Sequence, residues 1–323
     1  MDSSSTPKAA SGRASGGGRM PLTIFLLLVG INLLWAGSSL AAKIALQTIP
    51  PMTLAFARFA LAALLMYGVA RVRGVDLRVA RRDWGMFWAM GILGLALTYL
   101  LAYQGIQRTT ASDSALIHAT EPVFLSVLAY FFLRERMFAV KVLGIVAGLL
   151  GTYLIVANGW RLPAFSGAVA GDLLITLGLT FEAGSSIVGK NLVMRYPPAS
   201  VMTYQMLSGA IALAPFAMWE LAQPGRAPHP TAAALWSLLY LVVPCTVFAY
   251  TVWFTILETR GAGEMSVFLF VQPVFGAFLG AWLLHEPFTV WTVLGAVFVL
   301  SGVALINRRP PLPKSPPPNS PAA

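Results

Sequence analysis

The sequence predicts an all-α integral membrane protein with ten transmembrane helices, arranged as two inverted repeats of five helices each. Three observations lead to this fold class: the composition, an internal repeat, and the distribution of basic residues among the loops. Of the 323 residues, 57% are hydrophobic and 11% are charged, whereas roughly a quarter of the residues in a soluble domain are charged. A soluble protein of this composition would expose large apolar patches, so we expect the chain to lie in a lipid bilayer.

Ten apolar stretches have roughly the 20 residues that cross a ~30 Å hydrocarbon core at ~1.5 Å per residue. Five belong to a first repeat, residues 21–157, and five to a second repeat, residues 167–307. Residues 1–20, rich in Ser and Gly, and the Pro-rich residues 308–323 are expected to be cytoplasmic tails, the first one disordered. The predicted spans are 22–45, 51–71, 84–106, 111–133, 138–156, 168–191, 199–221, 232–257, 263–284 and 288–307.

The two repeats share motifs in the same order. The segment AGSS occurs at residues 36–39 and again at residues 183–186. Residues 122–155 are identical to residues 273–306 at 14 of 34 aligned positions, which indicates a duplicated unit. Small residues along spans 5 and 10 are expected to let these helices pack closely; they are Gly144, Gly148, Gly151, Gly295 and Gly302.

The basic residues of the loops predict how the chain is oriented. With the N-terminus inside, the inner segments hold sixteen Lys and Arg residues and the outer loops hold three, as the positive-inside rule requires. The loop after span 2 carries five arginines, whereas its counterpart after span 7 carries one. An odd number of helices per unit turns the second copy upside down, and such inverted repeats are common in secondary transporters. We therefore expect both termini on the cytoplasmic side of the cytoplasmic membrane.

Several other function classes are not supported by the sequence. One cysteine, Cys245, excludes an internal disulfide framework, and three histidines are too few for a multi-histidine metal centre. The net charge of +10 arises from short loops between apolar spans, so it indicates membrane orientation and not nucleic-acid binding. No GxxxxGK[ST] loop and no placeable Ser/His/Asp arrangement occurs. We expect neither an enzyme nor a bound metal or cofactor.

Four segments resemble a known family. They are WAGSSLAAKIAL at 35–46, PPMTLAFARF at 50–59, the segment at 120–156, and its repeat at 271–307. The last two share a proline in spans 4 and 9, a glutamate at the helix end, and then a Gly-rich span. Over residues 22–307 the chain resembles the EamA-type members of the drug/metabolite transporter superfamily. The resemblance implies a carrier of small organic molecules, often an exporter of amino acids or other metabolites, with a central cavity between the repeats.

Candidate residues for the substrate path begin with two acids near the middle of spans, Glu121 and Glu182. An ionisable group at this depth costs roughly 2.5–3.5 kcal/mol, so each should face the bundle interior, protonated or partnered. Proton coupling through either acid is a hypothesis. Glu182 occupies the position of Trp35 in the first repeat. Arg58, about seven residues or ~10 Å into span 2, either pairs with Glu182 or extends to the outer surface.

Two prolines at equivalent positions of the repeated segment are each expected to bend the helix that contains them. Pro122 in span 4 and Pro273 in span 9 lack the N–H that an unbroken helix needs, and such breaks are tolerated where they line a cavity or buried protein. His118 lies three residues before Glu121, so both share a helix face. His118, Glu121 and Gln272 are therefore candidates for the substrate path. The alternative is that the prolines only shape the helices and that these polar residues are satisfied inside the core.

Aromatic residues on spans 3 and 8 form a second group of candidates. Tyr99 and Tyr103 lie four residues apart on one face, and the repeat places Tyr250 and Phe254 at the equivalent positions, with Trp253 nearby. A paired aromatic wall suits an apolar or cationic substrate, although core packing would also place aromatics here.

Together these patterns predict a secondary transporter that exports small organic metabolites, amino-acid-like or drug-like, across the cytoplasmic membrane by alternating access. A flippase for a lipid or lipid-linked amphiphile is the alternative, since an aromatic wall would also suit an amphiphile. The expected partners are the lipid bilayer and a small-molecule substrate.

Overall fold

The computed structural model describes residues 20–106, 108, 117–118, 120–134, 137–157, 159–160, 169–272, 274–275 and 289–307. In these ranges the chain folds into helices and connecting turns, without a β-strand. Pro273, residues 1–19 and the predicted C-terminal tail lie outside the described residues.

The helices follow the order of the predicted spans. The first repeat contains α1 (Leu22–Leu46), α2 (Pro51–Val72), α3 (Arg81–Ile106), α4 (Glu121–Leu133) and α5 (Ala139–Ala157). The second contains α6 (Val169–Val193), α7 (Pro198–Leu221), α8 (Ala232–Thr259), α9 and α10 (Val290–Asn307). Helix α9 starts with the turn Ala262–Met265 and continues as the 3₁₀ segment Ser266–Phe270.

Five of these helices, α1, α2, α3, α7 and α8, are long and apolar enough to cross a membrane, with 22 to 28 residues each. Their outward faces carry large apolar side chains such as Leu64, Met218 and Trp236, which are about 70% exposed. Exposed apolar surface of this extent belongs in contact with lipid. The protein is therefore an integral membrane protein.

Equivalent positions of the two repeats start helices in the same way. Pro50 precedes α2 and Pro51 is its first residue, just as Pro197 precedes α7 and Pro198 is its first residue. Proline fits here because the first turn of a helix needs no N–H donor and because the φ of proline is already helical.

Helices α3 and α8 contain π-helical segments at equivalent positions, Ile92–Leu97 and Val243–Phe248. A threonine hydroxyl donates to the carbonyl five residues earlier in each helix, from Thr98 to Leu93 over 2.8 Å and from Thr246 to Leu241 over 2.7 Å. Such segments interrupt the regular α-helical hydrogen bonding and often lie at functional sites.

Helix α5 packs on α10, α2 on α7, α1 on α8, α3 on α6, and α4 on both α6 and α9. Glycines make the α5–α10 contact: a Cβ on Gly151 would lie 2.5 Å from the carbonyl oxygen of Gly295, and one on Gly302 would lie 2.6 Å from that of Gly144. Each repeat thus supplies one glycine and one carbonyl to a reciprocal contact. The predicted close packing of these two helices is confirmed.

Candidate functional site

A cavity of about 120 Å³ lies between the two repeats. This volume is many times the 10–15 Å³ that one water molecule needs. Helices α1 to α4 and α6 to α9 all contribute residues to its wall. Ten side chains that the sequence analysis selected line it: Trp35, Arg58, Tyr99, Tyr103, His118, Glu121, Glu182, Tyr250, Trp253 and Gln272.

Helix α2 carries Arg58 into this cavity, where the side chain is only 3% exposed. Its Nε donates to the Thr246 hydroxyl over 2.8 Å, and an Nη donates to the Tyr103 hydroxyl over 3.3 Å. The guanidinium also lies over the rings of Tyr99 and Phe59, with centroids at 4.9 and 5.2 Å. Cation–π contact and two hydroxyl acceptors replace part of its hydration.

Neither arrangement expected for Arg58 is observed. The buried side chain does not extend to the outer surface, and its hydrogen bonds go to hydroxyl groups. In the described part of the chain, the ion pairs within 4.0 Å involve Asp83, Glu220 and Glu264, so Arg58 and Glu182 do not pair directly. Hydroxyl groups on α3 and α8 reach the guanidinium instead.

A hydrogen-bond chain connects the two repeats beside Arg58. The Tyr250 hydroxyl donates to Oε1 of Glu182 over 3.3 Å, and the Tyr99 and Tyr250 hydroxyls are 3.4 Å apart. A hydroxyl has one proton, so Tyr99 is the donor when Tyr250 donates to the carboxylate. Proton donation then runs in one direction, from Tyr99 through Tyr250 to Glu182.

The aromatic wall surrounds this chain. The Trp35 ring meets the rings of Tyr250 and Trp253 at 5.6 and 5.7 Å, both in tilted or edge-on geometry. Its indole N–H donates to the carbonyl of Cys245, in the π-helical segment of α8, over 2.9 Å. Trp35 and Glu182, equivalent in sequence, therefore both contact Tyr250.

Two further candidates line the cavity from α4 and α9. Gln272 donates to Asn32 over 3.1 Å, and Asn32 donates to the carbonyl of Leu28 over 2.6 Å. The carboxyl group of Glu121 makes no hydrogen bond or ion pair with another described side chain. Pro122 lies in the first turn of α4, which begins at Glu121, and not inside a continuous helix. The first turn accepts proline because no N–H bond is lost there.

Sequence reasoning missed Gln205 on α7, which lines the same cavity and is 2% exposed. Its Nε2 donates to the Ser185 hydroxyl over 3.3 Å, and that hydroxyl donates to the carbonyl of Met90 over 3.2 Å. Its Oε1 is buried without a partner in the described part of the chain. The offset that relates the two AGSS segments maps Arg58 onto Gln205, so the repeat itself was the missed signal.

Comparison with known proteins shows the same fold in a solved structure. The chain superposes on that crystal structure with a TM-score of 0.74 and 19% sequence identity, covering 88% of this chain and 96% of the other. This likeness concerns the fold alone.

Several relatives are named as transporters. An uncharacterized transporter of Archaeoglobus fulgidus is 30% identical over 286 residues, 88% of this chain and 97% of the relative. The uncharacterized transporter YoaV of Bacillus subtilis is 26% identical, over 87% of this chain and 95% of the relative. An S-adenosylmethionine/S-adenosylhomocysteine transporter of Chlamydia muridarum is 23% identical, over 88% and 92%.

The family match covers both repeats, at residues 22–157 and 169–308. Each matched segment contains one copy of the repeated motifs and part of the cavity wall. The chain therefore belongs to the EamA-like transporter family and is a membrane transporter.

Proposed function

We propose that the protein is a secondary transporter that exports small organic metabolites across the cytoplasmic membrane by alternating access, with the cavity between the repeats as the substrate site. The observation that carries this proposal is the cavity wall, where Arg58, Glu121 and Glu182 meet inside the apolar bundle. Ionisable groups at this depth are costly and mark substrate or ion paths.

Alternating access needs two halves that can exchange their contacts, and an inverted repeat of five helices each provides them. The helix pairs support this arrangement, because exchanging the two repeats converts the α1–α8 pair into the α6–α3 pair and keeps the α2–α7 and α5–α10 pairs. The reciprocal contacts of Gly151 and Gly302 support it in atomic detail. The positive-inside distribution of the loop charges supports a cytoplasmic location of both termini.

A small organic solute fits this wall better than a lipid does. Arg58, Glu121 and Glu182 line a cavity of about 120 Å³ together with His118 and Gln205, which favours a polar occupant over a hydrocarbon tail. The relative named as an S-adenosylmethionine/S-adenosylhomocysteine transporter is consistent with an organic metabolite as substrate.

Export is tested by untargeted mass spectrometry of the medium of cells that overproduce the wild type, Glu121→Gln or Glu258→Gln. Glu258 is exposed at the end of α8, so its variant makes the same chemical change outside the cavity. We expect one compound class to accumulate with the wild type and Glu258→Gln, and at least about tenfold less with Glu121→Gln, since an intramembrane carboxyl belongs to the transport path. Equal release by Glu121→Gln would remove Glu121 from the path. No release by the wild type would contradict export and favour import or lipid movement, which labelled-lipid assays in liposomes distinguish.

Proton coupling through Glu121 or Glu182 is part of the proposal, because both carboxyls line the cavity within the membrane. A protonophore should stop the release of that compound class within the time that it collapses the proton gradient. Unchanged release with the gradient collapsed would contradict proton coupling and leave the carrier function intact.

A further inference from the structure

The loop between α2 and α3, residues 73–80, and the two helix ends beside it carry a cluster of exposed arginines that we call the basic surface. Two acidic residues, Asp76 and Asp83, lie in the same segment, so the positive charges are in excess. The arginines of the basic surface, all of them exposed, are Arg71, Arg73, Arg78, Arg81 and Arg82.

Asp83 does not neutralise this surface, because its carboxylate is turned toward the second repeat. It is 4% exposed, and it accepts from an Nη of Arg195 over 2.7 Å and from the Tyr196 hydroxyl over 2.6 Å. Arg82 approaches it only to 3.9 Å, with a side chain that is 82% exposed. Exposed ion pairs of this length contribute little, so Arg82 remains available to another anion.

The other arginines of the loop have still fewer contacts within the protein. Asp76 uses Oδ1 to accept from the backbone N–H of Arg78 over 2.9 Å. Among the described residues, the guanidinium groups of Arg73, Arg78 and Arg81 make no hydrogen bond and no ion pair within 4.0 Å. Each guanidinium has five N–H donors, and here these donors face the surroundings of the protein.

The backbone that carries these side chains is fixed where α2 ends. Gly74 has a left-handed conformation with a φ of 64°, which glycine adopts without steric cost. The Gly74 N–H donates to the carbonyl of Arg71, and the Val75 N–H donates to that of Ala70. These two bonds form a Schellman motif, which sets the direction in which the chain leaves the helix.

The second repeat holds the rest of the loop through backbone atoms. The hydroxyls of Ser200 and Tyr204 on α7 donate to the carbonyls of Asp76 and Leu77, each over 2.7 Å. Between residues 75 and 80, half-buried and exposed residues alternate, as the side chains of an extended segment do. Arg78 is among the exposed ones, so the loop packs on α7 and presents its arginine outward.

The basic surface lies directly beside apolar surface that contacts lipid. Val72, the last residue of α2, is 89% exposed, and Trp84 and Trp88 are exposed on the first two turns of α3. Tryptophan is enriched at the level of the lipid headgroups. The arginines therefore lie at the depth where a bilayer has its phosphate groups.

We propose that the basic surface binds the headgroup phosphate of an anionic phospholipid, whose acyl chains lie along the exposed apolar face of α2. A guanidinium matches a phosphate through two parallel N–H bonds, and basic clusters directly beside a membrane helix attract anionic lipids. Orientation in the membrane needs only positive charge, which lysine also supplies, whereas residues 71–82 contain arginine and no lysine.

The corresponding loop of the second repeat, residues 222–231, provides an internal contrast. It contains one arginine, Arg226, which lies 4.0 Å from the buried carboxylate of Glu220. A loop at this position of the repeat therefore needs no unpaired arginines to connect its helices. The lipid site does not depend on which solute the protein transports, so its failure and the failure of export are separate results.

Thermal unfolding of the purified full-length protein in neutral detergent tests the proposal. Phosphatidylglycerol and phosphatidylcholine with the same acyl chains are titrated separately, with glycerol 3-phosphate as a soluble phosphate probe. We expect phosphatidylglycerol to raise the unfolding midpoint at concentrations about tenfold or more below those that phosphatidylcholine needs. Glycerol 3-phosphate should have no effect in that range, because it lacks the acyl chains that α2 contacts.

A triple variant that combines Arg73→Gln, Arg78→Gln and Arg81→Gln assigns the site. These side chains make no polar contact within the described protein, so the unfolding midpoint without added lipid should equal that of the wild type. The preference for phosphatidylglycerol should fall below about threefold. Arg226→Gln, which removes one arginine from the corresponding loop, should keep the wild-type preference.

The same three positions changed to lysine keep the charge and lose the paired N–H donors. This variant should prefer phosphatidylglycerol less strongly than the wild type does, and it serves as the test if the glutamine variant does not give a monodisperse protein. A preference equal to that of the wild type in either triple variant would overturn the assignment to these arginines.

Two results with the wild type would also overturn the proposal. An equal response to phosphatidylglycerol and phosphatidylcholine would mean that the arginines serve membrane orientation alone. Stabilisation by glycerol 3-phosphate at the concentrations where phosphatidylglycerol acts would mean that the surface binds a soluble phosphate and not a lipid.

Discussion

The first and second repeats place equivalent residues on the cavity wall, but with different chemistry. Arg58 of the first repeat corresponds to Gln205 of the second, and Glu121 corresponds to Gln272. In both cases the first repeat has an ionisable group where the second has an amide. At the third position the order is reversed, since Glu182 of the second repeat corresponds to Trp35.

Several features without charged side chains are the same in both repeats. The proline pairs that start α2 and α7, the π-helical segments of α3 and α8, and the glycines of α5 and α10 all occur in both. These features determine the backbone and how closely helices approach. The comparison indicates that the shared residues build the two halves of the bundle, and that the differing residues give the cavity its polarity.

The largest loss of thermal stability is expected from substitution of the glycines that both repeats share. Gly151→Ala and Gly302→Ala each place a Cβ within 2.6 Å of a backbone carbonyl oxygen across the α5–α10 contact. Backbone atoms cannot rotate away, so overpacking of this kind costs about 1–3 kcal/mol. We expect both variants to lower the thermal unfolding midpoint in detergent by similar amounts.

Gly68→Ala in α2 is the matched control, because a Cβ at Gly68 would meet nothing within 4 Å. Alanine is favoured over glycine in a helix by roughly 0.5–1 kcal/mol, so this variant should be neutral or slightly stabilising. If Gly151→Ala is as stable as Gly68→Ala, the glycines do not set the α5–α10 distance. Unequal effects of Gly151→Ala and Gly302→Ala would contradict a reciprocal contact.

Much of this organisation can be predicted from sequence for a physical reason. Charged side chains are costly in apolar spans, so the sequence predicts that Glu121 and Glu182 face the bundle interior and that Arg58 lies either beside Glu182 or toward the outer surface. The repeat then added Tyr250 as the counterpart of Tyr99. Helix order followed from hydrophobic length alone.

Other features depend on side-chain and backbone geometry that composition does not encode. Arg58 reaches the hydroxyls of Tyr103 and Thr246 and not the carboxylate of Glu182, a choice made by rotamers and helix positions. The π-helical segments leave no pattern in spans that are apolar on almost every side. Gln205 is one of several uncharged polar residues in its span, and only its alignment with Arg58 distinguishes it from the others.

A smaller effect, on the export rate, is expected for Tyr99 and Tyr250, which are equivalent in the two repeats but donate hydrogen bonds of unequal strength. Tyr250 donates to a carboxylate, whereas Tyr99 donates to the neutral hydroxyl of Tyr250. Hydrogen bonds to charged groups contribute about 1.5–3 kcal/mol and those between neutral groups about 0.5–1.5 kcal/mol. Tyr250→Phe should therefore slow export about tenfold or more, and Tyr99→Phe should slow it only a few-fold, at matched expression.

The double variant that combines Tyr99→Phe with Tyr250→Phe tests whether the two hydroxyls act as one hydrogen-bond chain. Once Tyr250 has lost its hydroxyl, the bond from Tyr99 no longer exists, so Tyr99→Phe should add little to the loss caused by Tyr250→Phe. Tyr130→Phe, at an exposed position of α4, should leave the export rate unchanged. Additive losses in the double variant, or a larger loss from Tyr99→Phe than from Tyr250→Phe, would mean that the order Tyr99, Tyr250, Glu182 is not the direction of donation in the working protein.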